Sequence, residues 1–186
     1  MHSPDRTQYD YLRGIVMNTR TINRMRFSQI IGEHAVRMCD MVMAKARGDQ
    51  YSRAMAKAEI AKLNIEWIDL VCFGERSDSE FCQQTTKLIT AYSGTLRDYI
   101  NAKIMSNDLD YLVQKMTKFF GALAIQKYRL KNMETQWIAY TGSILGLVAI
   151  IDKYGVDSFS FFDAAAHCIR SGVLLGQYMD HTLYNK

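Results

Sequence analysis

Glu66 and Asp69 stand three apart in the run IEWID, with Glu59 seven residues before Glu66. On a helix these carboxylates share one face, a placement that could hold Mg²⁺ and align a water for attack on a phosphoanhydride. That chemistry needs a second carboxylate pair. No ExxE precedes this one, since Glu33 stands alone before His34, so the acids read as solvent-facing positions and neither a metal, a cofactor nor catalysis is expected. His34, His167 and His181 share no spacing that would make a metal site or a triad, and read as core or surface histidines. Cys39, Cys72, Cys82 and Cys168 contain no CxxC pair and no histidine at zinc spacing. A reduced thiol set in the cytoplasm fits them better than a disulfide frame or a metal knuckle. Nothing in the chain has the form of a glycine-rich phosphate loop.

The cations are more informative. Arg6, Arg13, Arg20 and Arg24 recur at sevens and then a four, which on a continuous helix holds them within ~40° of one another. No acid lies between Arg13 and Arg26, so this basic stripe is locally uncompensated and points to an anionic partner. Further along, Lys115, Lys118, Lys127, Arg129 and Lys131 form a second basic group, in which Tyr128 sits among cations as it would to stack on a base or lie along a phosphate backbone. With Arg26, these ten residues are the candidate nucleic-acid-binding set. The formal net charge is only +4, because the middle of the chain is acidic. A solvated face that merely keeps the protein soluble would have the same composition. The two are separated by salt dependence, which steepens by about one unit for each phosphate neutralised.

The elements that must position these residues are helices. Pro4 is the only proline, 48% of the 186 residues are apolar, and strand-like alternation is hard to find. Ser3 and Pro4 resemble an N-cap and first helical position, with Leu12, Ile15, Val16 and Ile22 on the face away from the arginines. The weak helix formers Thr19, Thr21 and Asn23 could break that helix. A second helix from about Met25 to Arg47 stops at Gly48 and Asp49, and a third from Gln50 to Phe73 at Gly74. Ser77 and Glu80 have capping-box spacing before a fourth, which runs to about Met105. Ser106 to Asp108 cap the next, whose apolar face includes Leu109, Leu112, Val113, Met116, Phe119, Phe120 and Leu123. Trp137 to Ile151 is apolar on nearly every side and, at about 15 residues, short of the ~20 a membrane span needs, so it reads as a buried helix. It carries Gly142 and Gly146 four apart, and the last helix repeats the device with Gly172 and Gly176, which predicts close packing of these two helices on each other. The methionines Met17, Met25, Met38, Met41, Met43 and Met55 have the spacing of core filler. The expected architecture is an all-α, antiparallel four-helix bundle over residues 1–105, with additional C-terminal helices in 106–186 packed on it.

As a pattern of helices, residues 5–105 resemble the accessory variability determinant (Avd) proteins of diversity-generating retroelements. The match is one of layout. A Tyr-led first helix (QYDYLRGIV) and an Arg-containing junction lead to RFSQIIGEHAVRMCDMVMAKARGD, then KAEIAKLNIEWIDLV, then ITAYSGTLRDYINA with its small residue and late aromatic. The resemblance implies a small basic bundle that assembles into a ring, contacts a reverse transcriptase and helps it engage RNA. Arg20, Arg24 and Arg26 match that family's basic positions best, whereas the third helix here carries Glu66 and Asp69 where the family usually has arginines.

Residues and resemblance together predict a non-catalytic, homo-oligomeric accessory subunit that binds RNA or single-stranded DNA beside a reverse transcriptase, with no membrane partner. The alternatives are an all-α, Mg-dependent nucleotide pyrophosphohydrolase, built on Glu59, Glu66 and Asp69, and a bundle that serves only protein interaction.

Overall fold

The computed structural model describes residues 19–73, 75–102, 113–115, 118 and 133–184, with side chains for 26–73, 75–101, 113–115, 118 and 135–180. Among the described residues the protein is an all-α bundle without strands: α1 (Thr19–Ala46), α2 (Gln50–Val71), α3 (Glu80–Ala102), α4 (Met133–Tyr154) and α5 (Phe159–Tyr184). Helix α1 starts earlier than the sequence predicts, since Thr19, Thr21 and Asn23 are helical despite their weak propensity.

Local chemistry sets most of the boundaries. At the end of α1 the Asp49 amide donates to the Ala44 carbonyl and the Gly48 amide to the Lys45 carbonyl, with Gly48 in the left-handed region at φ 70°. This is a Schellman stop, and it needs a residue without a Cβ penalty. Asp49 then caps α2, accepting from the Ser52 amide at 3.0 Å and the Ser52 hydroxyl at 2.6 Å. The cap of α3 is Ser79, whose Oγ accepts from the Cys82 amide at 3.2 Å, so the Ser77–Glu80 box expected from spacing lies two residues too early. Gly155 at φ 83° turns the chain out of α4, and Ser158 Oγ accepts from the Phe161 amide at 3.2 Å to start α5.

Two antiparallel helix pairs result, α1 with α2 and α4 with α5. They dock through α1 and α5, the most extensive interface of the fold. The register is visible along its length. Gly176 lies on Phe27 and Ser28, Val173 on Gly32, Gly172 on Ile31 and Ala35, and at the far end Arg47 reaches Asp157 at 2.7 Å. A Cβ on Gly176 would fall 2.3 Å from Ser28 Cα and 2.6 Å from the Phe27 carbonyl oxygen, so the backbones touch there. The glycine pair of α5 therefore accommodates α1. The pair on α4 does not pack on it, because Gly142 and Gly146 have nothing within 4 Å of where a Cβ would stand.

A single buried cluster runs from Phe27, Ile31, Met38 and Met41 on α1 through Ile60 and Trp67 on α2, Ile89, Tyr92 and Leu96 on α3, and Trp137, Ile144 and Leu147 on α4 to Leu175 and Met179 on α5. Each such side chain contributes roughly 1.5–3 kcal/mol by leaving water. The C-terminal hairpin thus shares the core of the N-terminal helices. Of the methionines expected as filler, Met38 and Met41 are buried while Met55 is exposed. Helix α4 is buried along one side only: Trp137, Tyr140, Ile144 and Leu147 face the core, and Ile138, Ala139, Gly142 and Ala149 face out.

Candidate functional site

Three of the ten candidate cations lie in the first turns of α1, and their backbone positions fix what they can do together. Arg20 and Arg24, four apart on a continuous helix, share a face, while Arg26 is displaced by ~160° from Arg24 around the axis. Arg26 is exposed and makes no ion pair with a described residue. The next acid along α1 is Glu33, whose carboxylate accepts from the Gln29 side-chain amide at 3.1 Å. Lys115 and Lys118 are exposed helical positions. Arg6, Arg13, Lys127, Arg129 and Lys131 fall outside the described residues, as do Leu12, Ile15 and Val16.

A second feature was not legible in the sequence. Between α1 and the start of α2 lies an open cleft of about 470 Å³, lined among others by Arg37, Asp40, Arg47, Tyr51, Met55 and Glu59. Its lining is acidic on balance, with Asp40, Asp49 and Glu59 against Arg37, which pairs with Asp40 at 2.8 Å, and Arg47, which bridges out to Asp157. The Arg47–Asp157 pair brings the α1–α2 turn beside the α4–α5 turn. Tyr51, Tyr154, Phe159 and Phe162 flank these turns and are all exposed, Phe159 at 86%. One end of the bundle is therefore rich in uncovered aromatic rings. Individually such residues look like ordinary helix-end positions; only the packing of the two hairpins places them at one end.

The residues of greatest chemical potential are locked inside. His34 is fully buried on α1, with Nδ1 2.7 Å from the Tyr140 hydroxyl and Nε2 3.2 Å from the Ser93 hydroxyl, so one ring nitrogen donates and the other accepts. Burial, and then the nearby positive charge of Arg97, lower its pKa to about 4. Beside it Trp67 stacks on Trp137 with centroids 5.6 Å apart, Tyr92 meets Trp137 edge-on at 5.2 Å, and the Tyr92 hydroxyl hydrogen-bonds Thr141 at 2.8 Å. Burial raises the pKa of both Tyr92 and Tyr140. Four helices contribute to this network and no substrate could reach it, so it acts to fix the register of the core. The sequence gives no hint of it, since the partners of His34 are 59 and 106 residues away.

The carboxylates of the alternative reading are spread along α2. Asp69 is exposed, Glu66 half-buried, and Glu59 lines the cleft. Among the described residues no three His, Cys, Asp or Glu side chains gather as metal ligands would. No described helix is long and apolar enough to cross a membrane. Comparison with protein families, curated proteins and solved structures found no match for this chain.

Proposed function

We propose that the protein is a non-catalytic, homo-oligomeric nucleic-acid-binding subunit, the accessory partner of a reverse transcriptase. The observation that carries this reading is the first described turns of α1, where Arg20 and Arg24 share a helical face, Arg26 stands exposed on the opposite side, and no acid intervenes before Glu33. Such a surface recognises backbone rather than bases, and RNA or single-stranded DNA of any sequence should bind. The reverse-transcriptase partner rests on the Avd-like layout of residues 5–105, and cytoplasmic placement on the thiols.

Reversing Arg20, Arg24 and Arg26 to glutamate should weaken binding on every sequence and reduce the salt slope by up to about three units, with helicity by circular dichroism unchanged. Replacing Glu59 and Glu66 by Gln and Asp69 by Asn should leave binding intact. Unchanged affinity in the arginine reversal would sink the nucleic-acid reading. Mg²⁺-dependent hydrolysis of nucleoside triphosphates that disappears in Glu66→Gln would make the protein an enzyme instead. A second reading, a bundle devoted to protein contacts, is favoured by the exposed rings of Tyr51, Tyr154, Phe159 and Phe162 at one end. Loss of co-purifying reverse transcriptase on mutating those rings, with nucleic-acid affinity unaffected by the arginine reversal, selects it.

A further inference from the structure

Helix α2 is apolar on two opposite sides. Its inward side, with Ala56, Ile60, Leu63, Trp67 and Leu70, is buried in the core. The outward side carries Tyr51, Met55, Ala58 and Ile65, at spacings of four, three and seven, and Phe73 follows just past the C-cap. All five are exposed, Ile65 at 61% and Phe73 at 70%. The four helical positions fall within a sector of ~80° that points away from the core. A surface helix ordinarily turns charged residues to water on that side, and a helix apolar on both sides is one that is covered on both.

Two charges interrupt this stripe, and their order says what covers it. Lys62 and Asp69, seven residues apart, are exposed in the same sector, within ~20° of each other, and neither makes an ion pair with a described residue. When α2 is laid antiparallel on a second α2, about a two-fold axis between Ile65 and Glu66, Lys62 of each copy stands opposite Asp69 of the other. The same register sets the small Ala58 opposite the large Phe73 and brings the two Ile65 side chains together at the centre. Charge and size are therefore both self-complementary, as an isologous contact requires. A parallel copy would instead set Lys62 on Lys62 and Asp69 on Asp69. The stretch from Ala58 to Phe73 spans roughly 20 Å of helix.

We propose that the outward face of α2 docks on the same face of a second copy of this chain, antiparallel, with Ile65 at the centre and the Lys62–Asp69 pair formed twice. The contact rests on the protein being homo-oligomeric and names the surface through which two chains meet. Covering Ile65 and Phe73 supplies the attraction, since both lose apolar area to water in the single chain. The charges fix direction and register. An isologous pair closes on itself, so any assembly beyond two chains is built through another face, such as the outward side of α4. None of the ten candidate cations lies in the contact, which makes pairing and nucleic-acid binding separable by mutation.

Sedimentation of the full-length chain and three variants tests this, with circular dichroism as the check that each variant folds. The wild type should sediment as two chains, or a multiple of two, at micromolar concentration. Ile65→Glu should weaken pairing by about tenfold or more, as should Lys62→Asp and Asp69→Lys, because each charge change sets like charges opposite one another twice. These positions are exposed, so helicity should be unchanged. An equimolar mixture of Lys62→Asp and Asp69→Lys should pair again, each variant with the other, because opposite charges then face at both places. Charge variants that each weaken pairing but do not recover it when mixed overturn the antiparallel register and the proposal with it. A wild-type oligomer that Ile65→Glu leaves intact overturns the α2 contact but not the homo-oligomeric reading. A single-chain wild type overturns both, and a lowered melting temperature of Ile65→Glu in that single chain would show the stripe to be covered within the chain.

Discussion

Two buried ionisable side chains give the protein opposed responses to pH. His34 has its pKa lowered from 6.5 to about 4 in the folded state, so the unfolded chain binds the extra proton between those values and stability is lost as pH falls from about 6.5 to about 4. The full loss is about 3 kcal/mol. Asp180 behaves oppositely. It is buried on α5 and accepts from the Phe27 and Ser28 amides at 3.2 Å each, but burial outweighs those donors and raises its pKa from 3.8 to about 7. The folded state then holds the proton more tightly, and stability falls as pH rises from about 4 to about 7. In the wild type the two slopes largely cancel between about pH 4 and 6.5. Asp180→Asn should therefore uncover a stability that rises with pH across that window, and His34→Gln one that falls, by urea unfolding at several pH values. Parallel curves for both variants and the wild type would show that neither group titrates as its surroundings dictate. Tyr140→Phe removes a partner of the buried imidazole and should cost ~1–3 kcal/mol at neutral pH.

At the scale of the element, the docking of α5 on α1 depends on the absence of a side chain. A methyl group at position 176 would meet the backbone of Phe27 and Ser28, which cannot move aside as a side chain could. Gly176→Ala should destabilise by about 3 kcal/mol or more and separate Asp180 from the two amides it accepts. The contrasting substitution is on α4. Gly142→Ala has open space and adds helix propensity, so it should stabilise by about 0.5–1 kcal/mol. Thermal unfolding of the two variants decides whether these identical sequence devices differ as the packing requires. Equal effects would mean that α1 and α5 do not meet at Gly176.

For the whole molecule, the outward side of α4 bears on the proposed oligomer. Ile138, Ala139, Gly142 and Ala149 leave a smooth, weakly polar strip along a helix whose other side is core. A second chain would gain by covering it. Light scattering should give a multiple of the single-chain mass at micromolar concentration, and Ala149→Glu should shift it toward one chain without unfolding. A single-chain mass for the wild type removes the oligomer, and with it much of the analogy to ring-forming accessory proteins.

The sequence alone determined the helical class and most helix ends, because these are local: 3.6-residue periodicity, one proline, Gly48 with Asp49 at a stop and restart, and the glycine-spaced smooth face of α5. Arg20 and Arg24 were legible as a pair for the same reason, since four residues on a helix fix a shared face. What only the tertiary structure decided depends on long-range partners. The Gly172–Gly176 face was readable as a groove, but that the backbone of α1 fills it, with only the Tyr140 ring of α4 reaching Gly172, depends on the docking of two hairpins. Ser79 rather than Ser77 caps α3 because the turn around Arg76 and Asp78 sets where the helix begins. Thr19 to Arg24 are helical although their propensity is poor, and Asp180, more than 150 residues away, holds the amides one turn further on. The pairing of His34 with Tyr140 and Ser93 has no signature in spacing. Side chains far apart along the chain meet only when the helices that carry them are packed.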